Sequence, residues 1–210
     1  MLAEWSVECS AEDPILVVPW SDPDGTSAFV DLRANPYDFD AVAEAEQYPA
    51  LMQALRALNA ARSPVFTAKC DAWTLHEDEL SHLQMNLDVL PVEGAVGFAS
   101  YIDLVWSERS LFASLPQHEQ VLRRLTRLAA PLDRPTAALD CIVRPAFLDI
   151  ESPQQGYAVS LYVKSLGHDP ASALKEWGDA LDAVVALIRG REFLPRQGRA
   201  RPVVQAQPLL

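Results

Sequence analysis

The stretch of sequence that decides the fold covers residues 138–167 and reads ALDCIVRPAFLDI, then ESPQQG, then YAVSLYVKSLG. Two runs rich in β-branched and aromatic residues flank a short segment that contains Pro153 and Gly156. Runs of this composition, separated by turn-forming residues, are typical of a β-hairpin. The sequence therefore predicts two long antiparallel strands in this part of the chain.

The side chains of the two arms separate into an apolar set and a mixed set, because successive residues of a strand point to opposite faces. In the first arm, an apolar series alternates with a mixed series, namely Leu139, Cys141 and Val143 with Asp140, Ile142 and Arg144. This alternation predicts a sheet that packs against other elements on one face only. Pro145 cannot donate a ladder hydrogen bond, which predicts an edge or a bulge at that position.

Outside the hairpin, hydrophobic patterning predicts strands at 15–20, 28–32, 65–75 and 96–106, and helices near 41–61, 77–87, 115–129 and 170–189. These elements predict an α+β fold, with a mostly antiparallel sheet and helices packed on one face. Two orders remain open: three ββα repeats, or a ferredoxin-like open sandwich over 28–150 with a strand and a helix appended. We expect residues 1–190 to form a single domain.

The charge of the chain is strongly negative and unevenly distributed. The 210 residues carry a net charge of −12, but from Arg189 onward five Arg and one Glu leave −16 for the first 188 residues. This acidity argues against binding nucleic acid or a membrane surface, and no apolar run approaches 20 residues. Residues 191–210, rich in Arg, Pro and Gln without periodicity, are predicted to be a flexible, disordered tail.

The cysteines and histidines do not indicate a reactive centre. Cys70 and Cys141 fall on apolar strand faces, where buried thiols act as small hydrophobic side chains. An odd total of three cysteines without close spacing favours a reducing cytoplasm. His118 lies in the first turn of a predicted helix, and we expect it at the solvent-exposed surface.

One set of residues combines the chemistry of a binding or catalytic site. They share the mixed face of the predicted sheet, opposite the apolar side of each strand: Lys69, Asp71, Trp73, Tyr101, Asp103, Asp140, Arg144, Tyr162 and Lys164. Asp is disfavoured in strands, so its recurrence there is notable, and Tyr, Trp and Arg commonly anchor partners. A structural explanation also exists, because cross-strand Asp–Lys and Asp–Arg pairs stabilise a solvated sheet by roughly 0.2–1 kcal/mol each.

Two functions from different classes follow from this face. The favoured hypothesis is a non-enzymatic cytoplasmic binding or accessory protein, whose mixed face contacts a protein partner, basic in charge, or a second copy of the chain. The alternative is a small-molecule enzyme that uses Asp71, Asp103 and Asp140 with Lys69 or Arg144, either as acid and base or with the carboxylates as oxygen ligands of Mg²⁺. No catalytic, cofactor-binding or metal-binding motif in the sequence selects the alternative.

Overall fold

The computed structural model describes residues 1–89, 94–190 and 193. Six strands in these ranges form one sheet: β1 (Leu2–Val7), β2 (Leu16–Val18), β3 (Val65–Thr74), β4 (Val96–Trp106), β5 (Ala137–Leu148) and β6 (Gln154–Gly167). The α-helices are α1 (Ala43–Gln47), α2 (Pro49–Leu58), α3 (Glu77–Asn86), α4 (Arg109–Phe112), α5 (Leu115–Ala129) and α6 (Pro170–Arg189). A short 3-10 helix, Asp38–Ala41, precedes α1. The chain therefore has the predicted α+β character.

The sheet is mixed, with the strand order β1-β5-β6-β4-β3. The predicted hairpin is confirmed as β5 and β6, which pair antiparallel from Ala137 opposite Ser165 to Leu148 opposite Gln154. Strands β4 and β3 extend the antiparallel order on one side. On the other side, β1 and β2 lie end to end along β5 and both run parallel to it.

Pro145 lies within β5, where β1 pairs with the strand only up to Val143 and β2 only from Ala146. At Pro145 the strand therefore has one unpaired edge, as predicted. The carbonyl oxygen of Val143 accepts a hydrogen bond from the Glu8 amide, and the Asp149 amide donates to Val18 on the same side. Odd-numbered residues of β5 therefore direct their main-chain groups toward β1 and β2. The ring nitrogen of Pro145 faces the interval between these two strands, where no ladder hydrogen bond is needed.

Helices α2, α5 and α6 cover one face of the sheet, which we call the helix-packed face. Trp177 of α6 is only 1% exposed, and its Nε1 donates to Ser100 Oγ on β4 at 2.9 Å. The guanidinium group of Arg123, on α5, lies 5.7 Å from the ring of Trp5 on β1. The apolar series of each strand points toward these helices and forms the main hydrophobic core.

Helix α3 lies on the opposite face, so the prediction that all helices pack on one face is wrong. Leu83 of α3 packs in a small apolar cluster with Ala99 and Ala138, which point away from the helix-packed face. Only Leu75 and His76 separate β3 from α3, and Leu75 itself packs in this cluster. The short connection and the small alanine side chains explain why the helix closes over this end of the sheet.

Neither predicted order of elements describes the first part of the chain, because residues 28–32 do not form a strand. Ser21 and Ala28 form an isolated antiparallel bridge, and Gly25 adopts a φ of 73° in the turn between them. Asp31, predicted within a strand, accepts hydrogen bonds from the amide and the guanidinium group of Arg33. Such local hydrogen bonds compete with those of a sheet. The ββα repeats and the ferredoxin-like sandwich are therefore both wrong.

Two further predictions concern the C-terminal tail and the absence of a membrane span. The predicted tail, residues 191–210, lies outside the described residues except for Phe193, whose ring stacks on Trp106 with a centroid separation of 5.5 Å. Within the described ranges, no helix combines the length and the apolar character needed to cross a membrane.

Candidate functional site

The structure brings the nine predicted residues onto one face of the sheet. Cross-strand registers join Asp71 to Tyr101, Tyr101 to Tyr162, and Tyr162 to Asp140 in one row. Directly opposed residues point to the same face. The other members occupy neighbouring rows of that face: Lys69, Trp73, Asp103, Arg144 and Lys164. We call this surface, defined by the nine residues, the polar face.

Three aromatic rings follow one another across the middle of the polar face. The ring centroids of Trp73 and Tyr101 are 6.3 Å apart, and those of Tyr101 and Tyr162 are 5.8 Å apart. All three side chains are half-buried. Burial raises the pKa of both tyrosines, with nearby carboxylates adding to the effect at Tyr101, so the phenols stay neutral at physiological pH. The row therefore offers apolar surface together with hydroxyl groups that can donate hydrogen bonds.

Asp103 is the buried carboxyl group of the face, with 8% exposure. Ser160 Oγ donates a hydrogen bond to its Oδ1 at 2.5 Å. Burial raises the pKa of Asp103, while this hydrogen bond and the positive charges of Arg144 and Lys69 oppose the shift. Asp103 is therefore held in the sheet by a specific polar contact and has little surface left for a partner.

The other two carboxylates of the face each have a separate contact. Asp140 forms a 2.8 Å ion pair with Lys164 Nζ, and Asp71 Oδ1 accepts a hydrogen bond from the Ala72 amide at 2.7 Å. Two strands separate Asp71 from Asp140, which places their main chains about 14 Å apart. Within the described residues, no group of three or more His, Cys, Asp or Glu side chains is arranged to hold a metal ion.

The end of the polar face next to β1 contains a shallow depression of about 280 Å³. Glu4 and Ser6 of β1 line it together with Asp140, Tyr162 and Lys164. Glu4 lies directly opposite Asp140 in the parallel register of β1 and β5. The strand at this edge therefore adds a carboxylate to the face, which the sequence prediction missed because the pairing of β1 with β5 is remote in sequence.

A larger cleft, of about 680 Å³, lies beside β3 at the other edge of the sheet. Its outer wall belongs to the segment 20–44, and its inner wall includes Lys69, Cys70 and Asp71. Trp20 spans the two walls, because its Nε1 donates to the carbonyl oxygen of Ala68 at 2.7 Å. Lys69 Nζ lies 4.9 Å from the centroid of the Trp20 ring. Three members of the polar face thus reach the cleft, since Tyr101 also lines it.

Cys70, Cys141 and His118 are shielded from solvent to different degrees, and their contacts are structural. Burial raises the pKa of Cys70 to about 12, with nearby carboxylates adding to the effect, and burial also raises that of Cys141. His118 is fully buried, which corrects the prediction of a surface position. Its two ring nitrogens lie 2.9 and 3.0 Å from the carbonyl oxygens of Ser114 and Tyr157. The ring therefore fixes the start of α5 against β6.

The fold and the polar face together define an acidic α+β protein with one helix-packed face and one partly open face. Comparison of the chain with protein-family models, with curated proteins and with solved structures gives no match.

Proposed function

We propose that the chain is a non-enzymatic binding protein that contacts a protein partner through the polar face. The observation that carries the proposal is the row of Trp73, Tyr101 and Tyr162, which is half-buried and continuous across three strands. Aromatic side chains with neighbouring charges commonly supply most of the binding energy of an interface. Helix α3 covers one end of this face, next to Ala99 and Ala138, so the aromatic row borders a helix on one side.

The partner is expected to be basic. The chain carries a net charge of −12, and Glu4, Asp71 and Asp140 lie on or beside the polar face. Complementary charge accelerates the encounter of two proteins and disfavours partners of the same sign. Self-association through the same face is the second form of this proposal, and it predicts a dimer in which the aromatic rows of two copies meet.

The enzyme hypothesis receives no comparable support from the geometry. Asp140 is paired with Lys164, Asp103 with Ser160, and Asp71 with the following amide. The cytoplasmic location likewise stays a prediction from the cysteine content of the sequence.

The proposed function is tested with the variant Tyr162→Ala and the matched control Tyr37→Ala. Tyr37 is 87% exposed and lies outside the sheet, so both substitutions remove the same side chain from different surfaces. Proteins retained from an extract of the source cells by the immobilised chain are identified, produced separately, and titrated by calorimetry against both variants. We expect at least tenfold weaker binding for Tyr162→Ala, the size expected for a central aromatic anchor.

Sedimentation velocity on the same samples separates the two forms of the proposal. A dimer of the unmodified chain that dissociates in Tyr162→Ala but persists in Tyr37→Ala supports self-association through the polar face. The proposal is refuted if the two variants bind the isolated partner with equal affinity and have the same association state.

A further inference from the structure

The outer edge of β3 has main-chain groups that pair with no other strand in the described chain. Within the described ranges, strand β3 pairs with β4 and with no other strand. The Leu75 amide donates to the Gly97 carbonyl of the β4 side, whereas the Ala72 amide donates to the Asp71 side chain. Odd-numbered residues in this part of β3 therefore bond to β4. The amides and carbonyl groups of the even-numbered residues point outward: Cys70, Ala72 and Thr74.

This edge is long and regular enough to accept another strand. A bulge between Thr67 and Lys69 interrupts the register at its beginning, but the pairing is continuous from Lys69 to Thr74. The Ala68 carbonyl already accepts the Trp20 indole, so the unpaired part begins at Cys70. The segment contains no proline, and an exposed edge of this kind is a ready template for an added strand.

The cleft beside β3 gives the edge a specific chemical character. Among its described lining residues, the carboxylates are Asp22, Glu44 and Asp71, and Lys69 is the one cation. All three carboxylates are half-buried, and the described residues supply no ion-pair partner for Asp22 or Glu44. An extended segment beside β3 would therefore lie in a cleft with a net negative charge.

We propose that the edge of β3 binds an extended, basic segment of a protein partner, which adds a strand to the sheet inside this cleft. Main-chain hydrogen bonds to the amides and carbonyl groups of Cys70 and Thr74, and to the carbonyl group of Ala72, supply binding that is independent of sequence. The three carboxylates select Arg or Lys. The inference rests on the proposed binding function, but it places the contact at the strand edge and names the chemistry of the partner.

The test uses a synthetic decapeptide of alternating arginine and threonine, blocked at both ends, added to the isotope-labelled full chain at low salt. Nuclear magnetic resonance follows the amides of the strand during the titration. We expect saturable binding below 1 mM, with protection from hydrogen exchange at the Cys70 and Thr74 amides. The Asp71 and Trp73 amides, which face β4, serve as internal controls and change little.

Two modified peptides separate strand addition from general charge attraction. Methylation of every second peptide nitrogen along one edge is expected to weaken binding at least tenfold, whereas methylation along the other edge leaves it nearly unchanged. A peptide with glutamate in place of arginine is expected not to bind. Equal affinity of the two methylated peptides would overturn strand addition, and failure of the arginine peptide to bind at 1 mM would overturn the inference as a whole.

Variants of the chain test the same contact from the protein side. Thr74→Pro removes an outward amide without removing a bond to β4, and Thr74→Ser is its control. We expect at least tenfold weaker peptide binding for the proline variant alone. If the proline variant does not fold, Glu44→Gln provides the second test, with threefold or greater weakening at low salt that disappears at high salt. Unchanged binding in the folded variants contradicts the inference.

The free chain supplies a last control. Slow exchange of the Cys70 and Thr74 amides before any peptide is added would show that the edge is already occupied, by the chain itself or, where the exchange depends on concentration, by a second copy. Either result overturns the proposed partner. The function proposed above fails separately, because it depends on Tyr162 and on the isolated partner rather than on this peptide.

Discussion

Removal of the Ser160 hydroxyl should destabilise the protein by an amount that depends on pH. Ser160 and Asp103 are 5% and 8% exposed, and the hydroxyl is the hydrogen-bond donor to the carboxyl group. In Ser160→Ala, the carboxyl group stays buried and loses this donor. Because an ionised carboxylate needs the donor more than a protonated one, the cost of the substitution follows the charge of Asp103.

The expected magnitude follows from the two charge states. A hydrogen bond to an ionised group contributes roughly 1.5–3 kcal/mol, and one between neutral groups roughly 0.5–1.5 kcal/mol. Burial raises the pKa of Asp103 above the unfolded value of about 3.9, so its contribution to stability is present below that pH and is lost as pH rises through the folded pKa. Ser160→Ala raises the folded pKa further, and its destabilising effect therefore increases from pH 4 to pH 7.

Urea unfolding at pH 4, 5.5 and 7 measures this effect, with Ser165→Ala as the matched control. Ser165 is fully buried and lies on the same strand, but its Oγ donates to the main-chain carbonyl of Ala173 at 2.7 Å. The control removes the same atom from a neutral acceptor and should cost about the same at every pH. The reasoning about Asp103 is refuted if the two variants show the same pH dependence.

Two further predictions concern the packing of α5 and α6. Burial lowers the pKa of His118, although the carbonyl groups of Ser114 and Tyr157 oppose the shift. Because the unfolded chain binds the proton more readily, the unfolding free energy should fall as pH decreases below about 6.5, by at most ~1.4 kcal/mol per pH unit. Urea unfolding of His118→Gln between pH 5 and 7.5 should show a smaller slope, and an unchanged slope would contradict this. A Cβ at position 167 would lie 2.2 Å from the Ala173 amide nitrogen. Gly167→Ala should therefore lower the unfolding free energy by about 1–3 kcal/mol, measured by urea unfolding. An unchanged unfolding free energy would contradict the close approach of the two main-chain segments.

The sequence predicts those parts of the fold that depend on the alternation of apolar and polar side chains along a single strand. The hairpin of β5 and β6 and the division of β3 and β4 into two faces depend on neighbouring residues, and one buried face makes a slip in register costly. The nine residues therefore share a face as expected. Their spacing within that face could not be predicted, because it depends on which strands are neighbours.

The parts that the sequence prediction missed depend on contacts between distant segments. Nothing in the local pattern of Leu2–Val7 indicates that it pairs parallel to β5, more than 130 residues later. The sequence does contain an indication of the face on which α3 packs, since Ala99, Ala138 and Leu166 make one end of the mixed face apolar. The position of residues 20–44 along the cleft has no such signal in the sequence. Trp20 is held there by a main-chain carbonyl group of β3, which every residue type has.

Strand β3 links the polar face to the proposed edge contact, because its alternate residues serve different surfaces. Lys69, Asp71 and Trp73 point to the polar face, while the main-chain groups of Cys70, Ala72 and Thr74 point to the unpaired edge of the strand. In an added strand, side chains directly opposite Asp71 and Trp73 would lie about 4.5–5.5 Å away and continue the rows of the polar face. Those positions recur every second residue, so a partner segment that binds here should carry Arg or Lys with a period of two. A partner whose basic residues recur every three or four positions, as on a helix, cannot place them along this edge, and its discovery would restrict the interaction to the polar face.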